Sequence, residues 1–321
     1  MPKPSALSFI GIGKETTKGT PVTTTAYIPV TTITPGDNVV YVADQALRAS
    51  MVDTYNEIQG PVSSEVDLEG PVIPDTFGWP LAGLMGDITT TGASAPFSHA
   101  ISLKNSSDGQ PTSHTIADNY AAACRKYAGI QWAELAVKYT ADGVLTWTSK
   151  AVGWGSATLS APTPSFTTIP PQAAWRCTAT IGGSSVTYVQ EAEIDFKRTA
   201  TPIFTLQNSQ NPYSVFVGDL AVTGKLKLIM EDDTELTRYL TNTQPALVLD
   251  LQQGVSAALV EVKFQMTKCA YTNADIDRGS DYVVLNVDFT ALGNTTDAGA
   301  SGGYSPIKAT LQNAIASGTY I

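Results

Sequence analysis

The second half of this chain repeats the plan of the first, and an internal repeat constrains the architecture before any single motif is weighed. From Tyr41 the order is an extended run (VVYVADQALRA), a Gly- and Pro-containing excursion, an alternating run (SSEVDLEG), a short helix-like segment (PDTFGWPLAGLMG) and a hairpin (WAELAVKYTADGVLTWTSKAVG). From Tyr188 the same order returns as VTYVQEAEIDFKR, a loop with Pro212, LAVTGKLKLIM, EDDTELTRYL, and the pair VEVKFQMTKCAY and DYVVLNVDFTAL. The offset is about 147 residues at the first strand and about 138 at the strand closing the hairpin, which points to duplication, with chance likeness of two β-rich halves as the alternative.

At 321 residues two domains can each bury a core. Charged residues are only 15% of the chain, and the abundance of Thr, Ser, Gly and Val suits strands and turns. The expected class is all-β with short helices: two tandem β-sandwich or barrel domains, each with a flanking helix. The expected organisation is an N-terminal extended arm (1–35), a first β domain (36–155), a Pro/Ser/Thr-rich linker (156–175), a second β domain (176–293) and a C-terminal arm (294–321). The arm either lies across another part of an assembly or is disordered. SPIKATLQNA in the tail offers a last strand or short helix.

In the first hairpin Ala133, Leu135, Val137 and Tyr139 alternate with Trp132, Glu134, Ala136 and Lys138, and Asp142-Gly143 is expected to supply the positive φ angles of a tight turn. Its counterpart sets Val260, Val262, Phe264 and Met266 on one face, then a polar turn over 273–280, then Val283, Leu285, Val287 and Phe289 on one face. Two segments look helical. One starts at Asp75 with Phe77, Leu81, Leu84 and Met85 on one side, limited by Pro80. The other starts at Asp232 or Asp233, with Glu235 closing a capping box and Leu236, Tyr239 and Leu240 as its buried stripe.

The net charge of −10 disfavours a sequence-independent grip on nucleic acid, which needs clustered Lys and Arg. Cys124, Cys177 and Cys269 are widely spaced and odd in number, so buried thiols are expected rather than a disulfide framework or zinc site. No run reaches the ~18 apolar residues of a membrane span and the N-terminus lacks a signal-peptide core, so neither membrane insertion nor export is expected. His99 and His114 stand in polar contexts that predict surface imidazoles, not a general base. GIGKETTKG departs from a phosphate loop because Glu15 follows Lys14. Asp275, Asp277 and Asp281 are interrupted by Arg278 and lack a bidentate Glu at calcium-loop spacing. No catalytic residue, metal site or cofactor is assigned.

Two acidic strips carry more information. Glu65, Asp67 and Glu69 share one face of a strand, as do Glu191, Glu193 and Asp195 on another. Three like charges on one face repel unless screened. The strips form either an ordinary solvated face or a surface built to face a polyanion without binding it.

The opening GIGKETTKGTPVTTTAYIPVTT, the stretch ALRASMVDTYNEIQGPVSSEVDLEGPVIPDTFGWPLAGLMGD and the closing NTTDAGASGGYSPIKATLQNA resemble the major tail tube proteins of long-tailed bacteriophages of the siphovirus type, especially the longer kind of actinobacterial phages. The resemblance implies a tail-tube-type β-sandwich or barrel that forms flat rings, stacked into a hollow tube through which DNA passes transiently on its way to the host. It implies a virion protein assembled in the host cytoplasm, with a tape-measure protein, a tail terminator and distal tail proteins as partners. With two copies of the fold per chain, a ring of three chains with pseudo-six-fold symmetry is expected, and six chains are the alternative. The acidic strips become candidate lumen-facing residues. Met51, Tyr55, Ile58, Ile203, Phe204 and Tyr213, in the excursions 49–61 and 199–215, become candidate ring-stacking contacts. The rival class is a non-catalytic secreted or surface two-domain β-sandwich binding module, for which Trp132, Trp147 and Trp154 are the aromatics to locate.

Overall fold

The computed structural model describes residues 2–279 and 281–321. Met1, in the expected N-terminal arm, and Ser280, at the end of the expected polar turn, lie outside the described residues. The first half contains β1 (Phe9–Lys14), β2 (Ala26–Ile28), β3 (Thr32–Asp44), β4 (Asn56–Pro71), α1 (Pro74–Met85), β5 (Gly86–Thr91), β6 (Phe97–Leu103), β7 (His114–Asn119), β8 (Cys124–Thr140), β9 (Thr146–Trp154) and β10 (Ala157–Leu159). The second contains β11 (Cys177–Ile181), β12 (Ser184–Val186), β13 (Val189–Lys197), β14 (Ala200–Ile203), β15 (Ser214–Val217), β16 (Ala221–Ile229), α2 (Thr234–Leu240), β17 (Leu247–Gln253), β18 (Val260–Met266), β19 (Cys269–Asp277), β20 (Val284–Ala291) and β21 (Lys308–Asn313). The class is all-β with two short helices, as the composition implies.

The repeat is written in the strand order. Within the largest sheet an antiparallel path runs β3-β4-β9-β8 through the first half and β13-β16-β20-β19 through the second. The two quartets have the same order, and β8 pairs directly with β13, so the second continues the first edge to edge. Even an irregularity is repeated: β8 carries a bulge between Trp132 and Glu134 against β9, and β19 carries one between Tyr271 and Asn273 against β20. Bulges bend strands at defined positions. Through these registers Thr34 is equivalent to Glu193, Asp67 to Lys225 and Lys150 to Asp288. Thus β3, beginning well before Tyr41, is the partner of β13. β20 is the partner of β9, at the offset the sequence indicates.

A second sheet, β12-β11-β17-β18-β21-β6-β5, draws strands from both halves and from the C-terminal tail. The core lies between the sheets, where Phe196 on β13 meets Phe264 on β18 with ring centroids 5.9 Å apart. Phe77 on α1 touches both Trp147 and Phe264. α1 is therefore buried on all sides rather than along one stripe, with Pro74 at its start and left-handed Gly86 at its end. Gly78 and Gly83 let it sink in: a Cβ at Gly78 would fall 2.3 Å from the Tyr320 ring and one at Gly83 2.4 Å from Trp132. The helix axis reaches the core because those side chains have nothing to clash with.

Several local expectations change. β18 belongs to the second sheet, and the strand that pairs with β20 is β19, so residues 273–277 are strand rather than turn. Two residues, Thr267 and Lys268, separate β18 from β19 and carry the chain from one sheet to the other. Val283 is exposed and precedes β20, whereas Leu285, Val287 and Phe289 are buried. Neither Asp142 nor Gly143 takes a positive φ, because five residues join β8 to β9 and the turn closes by Gly143 N–H donating to Thr140 O at 2.8 Å. In α2, Asp233 makes no side-chain cap, Asp232 accepts from Thr234 N–H at 2.8 Å, and Leu240 faces solvent. Glu235 is buried instead, accepting from Tyr188, Tyr271 and Arg238.

Residues 9–28 of the N-terminal arm are built into the chain's own sheet, with β1 between β7 and β2 and with Ile10 and Ile12 fully buried. The anchor is Glu15. Its carboxylate accepts from Gly19 N (2.8 Å), Ser113 Oγ (2.6 Å), Thr115 Oγ1 (2.8 Å) and Gly129 N (2.8 Å).

Candidate functional site

The side of the long sheet turned away from the core is charged because each strand alternates. In β4, Val66 and Leu68 are buried while Glu65, Asp67 and Glu69 point outward; in β13, Ala192, Ile194 and Phe196 are buried while Glu191, Glu193 and Asp195 point outward. All six acids thus lie on one face of one continuous sheet. They are not on equivalent strands: the equivalents of Asp67 and Glu69 are Lys225 and Lys227, and those of Glu191 and Glu193 are Thr32 and Thr34.

Lysines share the face. Lys150 lies 2.9 Å from Glu65, Lys197 3.3 Å from Glu134 and Lys227 3.3 Å from Glu191. Their period-two spacing, with Lys225 and Lys227 flanking buried Leu226, was available in the sequence and relieves the repulsion that acids alone would suffer. Such exposed pairs contribute little stability each. Acids still prevail, with Asp275, Asp277 and Asp288 adding to the strips and Lys138 opposing them. Partial burial first, and the neighbouring Glu193 second, raise the Asp195 pKa above the ordinary carboxylate value. The hydrogen bond from Lys150 to Glu65, and then the charge of Glu65, raise the Lys150 pKa. The face is hollowed into a groove of 580 Å³ over Asp67, Glu69, Glu134, Lys150, Asp195 and Lys197.

The two excursions are hairpins at equivalent points, one the far end of β3-β4 and the other β14-β15. They touch, with Val62 N–H donating to Gln210 O at 2.8 Å. Of the candidate contacts, Met51 is fully exposed, Ile58, Ile203, Phe204 and Tyr213 are exposed, and Tyr55 is half-buried under Arg48. Leu47, Leu206 and Phe216 are uncovered as well, and for Leu47 and Leu206 the sequence gives no periodic signal, because each is an isolated apolar residue in a polar loop.

The two ends of the eight-strand path are open. Among the described residues β3 pairs only with β4 and β19 only with β20. A subunit with a long charged sheet, two open edges and apolar tips is built to join others. A family model described as phage tail tube protein matches residues 5–291, nearly the whole chain. The chain belongs to that family. No curated protein matches it.

This tail tube protein is a structural component of the phage tail, and its buried polar groups hold the fold. Both histidines are fully buried on strands, contrary to their polar sequence context. His114 Nε2–H donates to Tyr320 O (3.0 Å) and its Nδ1 accepts from Trp132 Nε1–H (3.3 Å). Burial lowers its pKa to about 4. His99 bridges Thr90 and Asn313, and its pKa is also lowered, by burial first. Asn313 and Asp75 O bind the Tyr320 hydroxyl, so the histidines clamp the C-terminal tail. Cys124 and Cys269 are buried and Cys177 half-buried; burial pushes the Cys177 and Cys269 thiols up to about 12. Trp132 and Trp147 are buried, and Trp154 packs over Gly19 and Gly129, so these three form no binding platform. No helix of the described residues is long and apolar enough to cross a membrane.

Proposed function

We propose that this tail tube protein polymerises into stacked rings that enclose the channel for DNA ejection, three chains to a ring with pseudo-six-fold symmetry. The observation that carries the reading is the repeated quartet order joined at β8-β13: one chain already contains two adjacent wall segments. Closing such a sheet on itself removes its open edges, which otherwise invite indiscriminate pairing. In this ring the charged face lines the lumen and presents Glu65, Asp67, Glu69, Glu191, Glu193 and Asp195 to DNA. Phosphates are repelled from the acids, which outnumber the lysines, and Lys150, Lys197 and Lys227 are already paired with Glu65, Glu134 and Glu191, so transit is not arrested by ion pairing. The apolar hairpin tips contact the next ring. Assembly takes place in the host cytoplasm with a tape-measure protein, a tail terminator and distal tail proteins, and the product resides in the virion tail.

Native mass spectrometry of rings, or mass per length of tubes, tests the stoichiometry: three chains per ring is expected, and six chains would refute it. Replacing Glu65, Asp67, Glu191 and Glu193 together by Lys is expected to leave tubes intact and slow genome delivery in a salt-dependent way. Unchanged delivery would refute the lumen assignment.

A further inference from the structure

The joint inside the chain is a template for the joint between chains. Resting on the ring reading above, we infer that β19 of one chain pairs antiparallel with β3 of the next in a defined register, Asn273 opposite Asn38, Asp275 opposite Gly36 and Asp277 opposite Thr34. The register follows from equivalence. β8 meets β13 with Glu134 opposite Lys197, Ala136 opposite Asp195 and Lys138 opposite Glu193. The shared bulge carries Glu134 onto Asn273 and Lys138 onto Asp277. The β3-β4 and β13-β16 registers carry Lys197 onto Asn38 and Glu193 onto Thr34.

Three observations support the pairing. Ile33, Pro35, Ala274 and Ile276 are half-buried on the core side of the open edges, whereas their equivalents Ala192, Ile194, Leu135 and Val137 are almost wholly buried at the internal joint. A second copy in this register covers them, with Ile276 opposite Pro35, Ala274 opposite Asp37 and Ile33 opposite Arg278. The charge pattern is compatible, since Asp275 and Asp277 face uncharged Gly36 and Thr34 rather than other acids. The hydrogen bond from Arg198 N to Ala133 O (2.7 Å) fixes the core-facing pairs of the internal joint as the hydrogen-bonded ones. Pro35 stands at the Ile194 position, so its missing N–H points out of the open edge. A proline there costs the joint one donor and discourages pairing in other registers.

The channel-side pairs are then the non-hydrogen-bonded ones, whose Cα atoms lie ~4.5 Å apart, within disulfide reach. Oxidation of assembled Thr34→Cys/Asp277→Cys tubes is expected to convert monomer into a closed three-chain product on non-reducing gels. Neither single variant, nor Thr34→Cys/Asp275→Cys two residues out of register, should do so. Tubes that form normally but cross-link only in the shifted pair, or not at all, overturn the register while leaving the tube reading intact, and cross-linked closure at six chains upholds the joint but refutes the three-chain ring. Absence of rings and tubes from the unmodified protein by electron microscopy removes both. As a second measurement, Ile276→Lys should leave the monomer folded by circular dichroism and abolish tubes, because the half-buried position lets the ammonium reach water in the single chain but not at the joint. Normal tubes from Ile276→Lys would overturn the inference.

Discussion

Acidification should destabilise this subunit, and one buried imidazole, His114, carries a defined share of the loss. His114 is wholly enclosed by Trp79, Trp132 and Tyr320, with Lys14 the charged group that acts on it. As a neutral ring it donates from Nε2 and accepts at Nδ1; a second proton would set two donors, Nδ1–H and Trp132 Nε1–H, against each other. Its folded pKa of about 4 lies below the ordinary 6.5, so the unfolded chain takes up the proton first. Stability is whole above pH 6.5, falls as pH drops through that value, and stops falling below the folded pKa. At pH ~4.5 the difference amounts to about 2.5 kcal/mol, from about 1.4 kcal/mol per unit. That is a large share of a typical stability of ~5–15 kcal/mol. In His114→Gln the amide keeps one donor and one acceptor but does not titrate. The assay is urea denaturation of the unassembled subunit at pH ~7 and ~4.5. Wild type should lose about 2.5 kcal/mol more than the variant on acidification. Asp118, Asp195 and Glu261, whose pKa values burial raises, act with the opposite sign but equally in both proteins, so they cancel in the comparison. A difference under about 0.5 kcal/mol would refute the assignment of the acid sensitivity to His114.

Other perturbations test other links. Tyr320→Ala empties the space beside Gly78 and breaks the hydroxyl's bonds to Asn313 and Asp75, and should cost about 3–5 kcal/mol by the same denaturation assay. Glu15→Gln puts an amide donor among four donors and should cost about 2–4 kcal/mol, with proteolysis opening first near residues 15–24. Met51→Asp with Leu206→Asp should change subunit stability by less than about 0.5 kcal/mol, since both side chains are fully exposed, yet stop rings from stacking when followed by light scattering.

Where strands alternate strictly the sequence declared them: Leu135, Val137 and Tyr139, or Ile194 and Phe196, are the inward residues of the structure, and the acids between them share its outer face. The repeated order is legible too, except at its first strand, because β3 carries threonines, Pro35 and Gly36 where β13 carries alternating apolar residues. Long-range pairing was not legible. Nothing local tells β18 from β19, since both alternate and follow each other across two residues. His99 and His114 stand in polar sequence contexts because polar neighbours such as Ser113 and Thr115 are themselves buried and satisfied, Thr115 by Glu15 just after β1. The lysines opposite the acidic strips lie far away in sequence and meet them only through the sheet.

Two quartets of one strand order with different side chains give this chain a freedom that identical subunits lack. Because Asp67 on one quartet answers to Lys225 on the other, the backbone recurs twice per chain while its electrostatic pattern recurs once. In a closed ring, anionic stripes would alternate with more balanced ones around the bore. A polyanion threading it would then experience a three-fold field inside a six-fold tunnel.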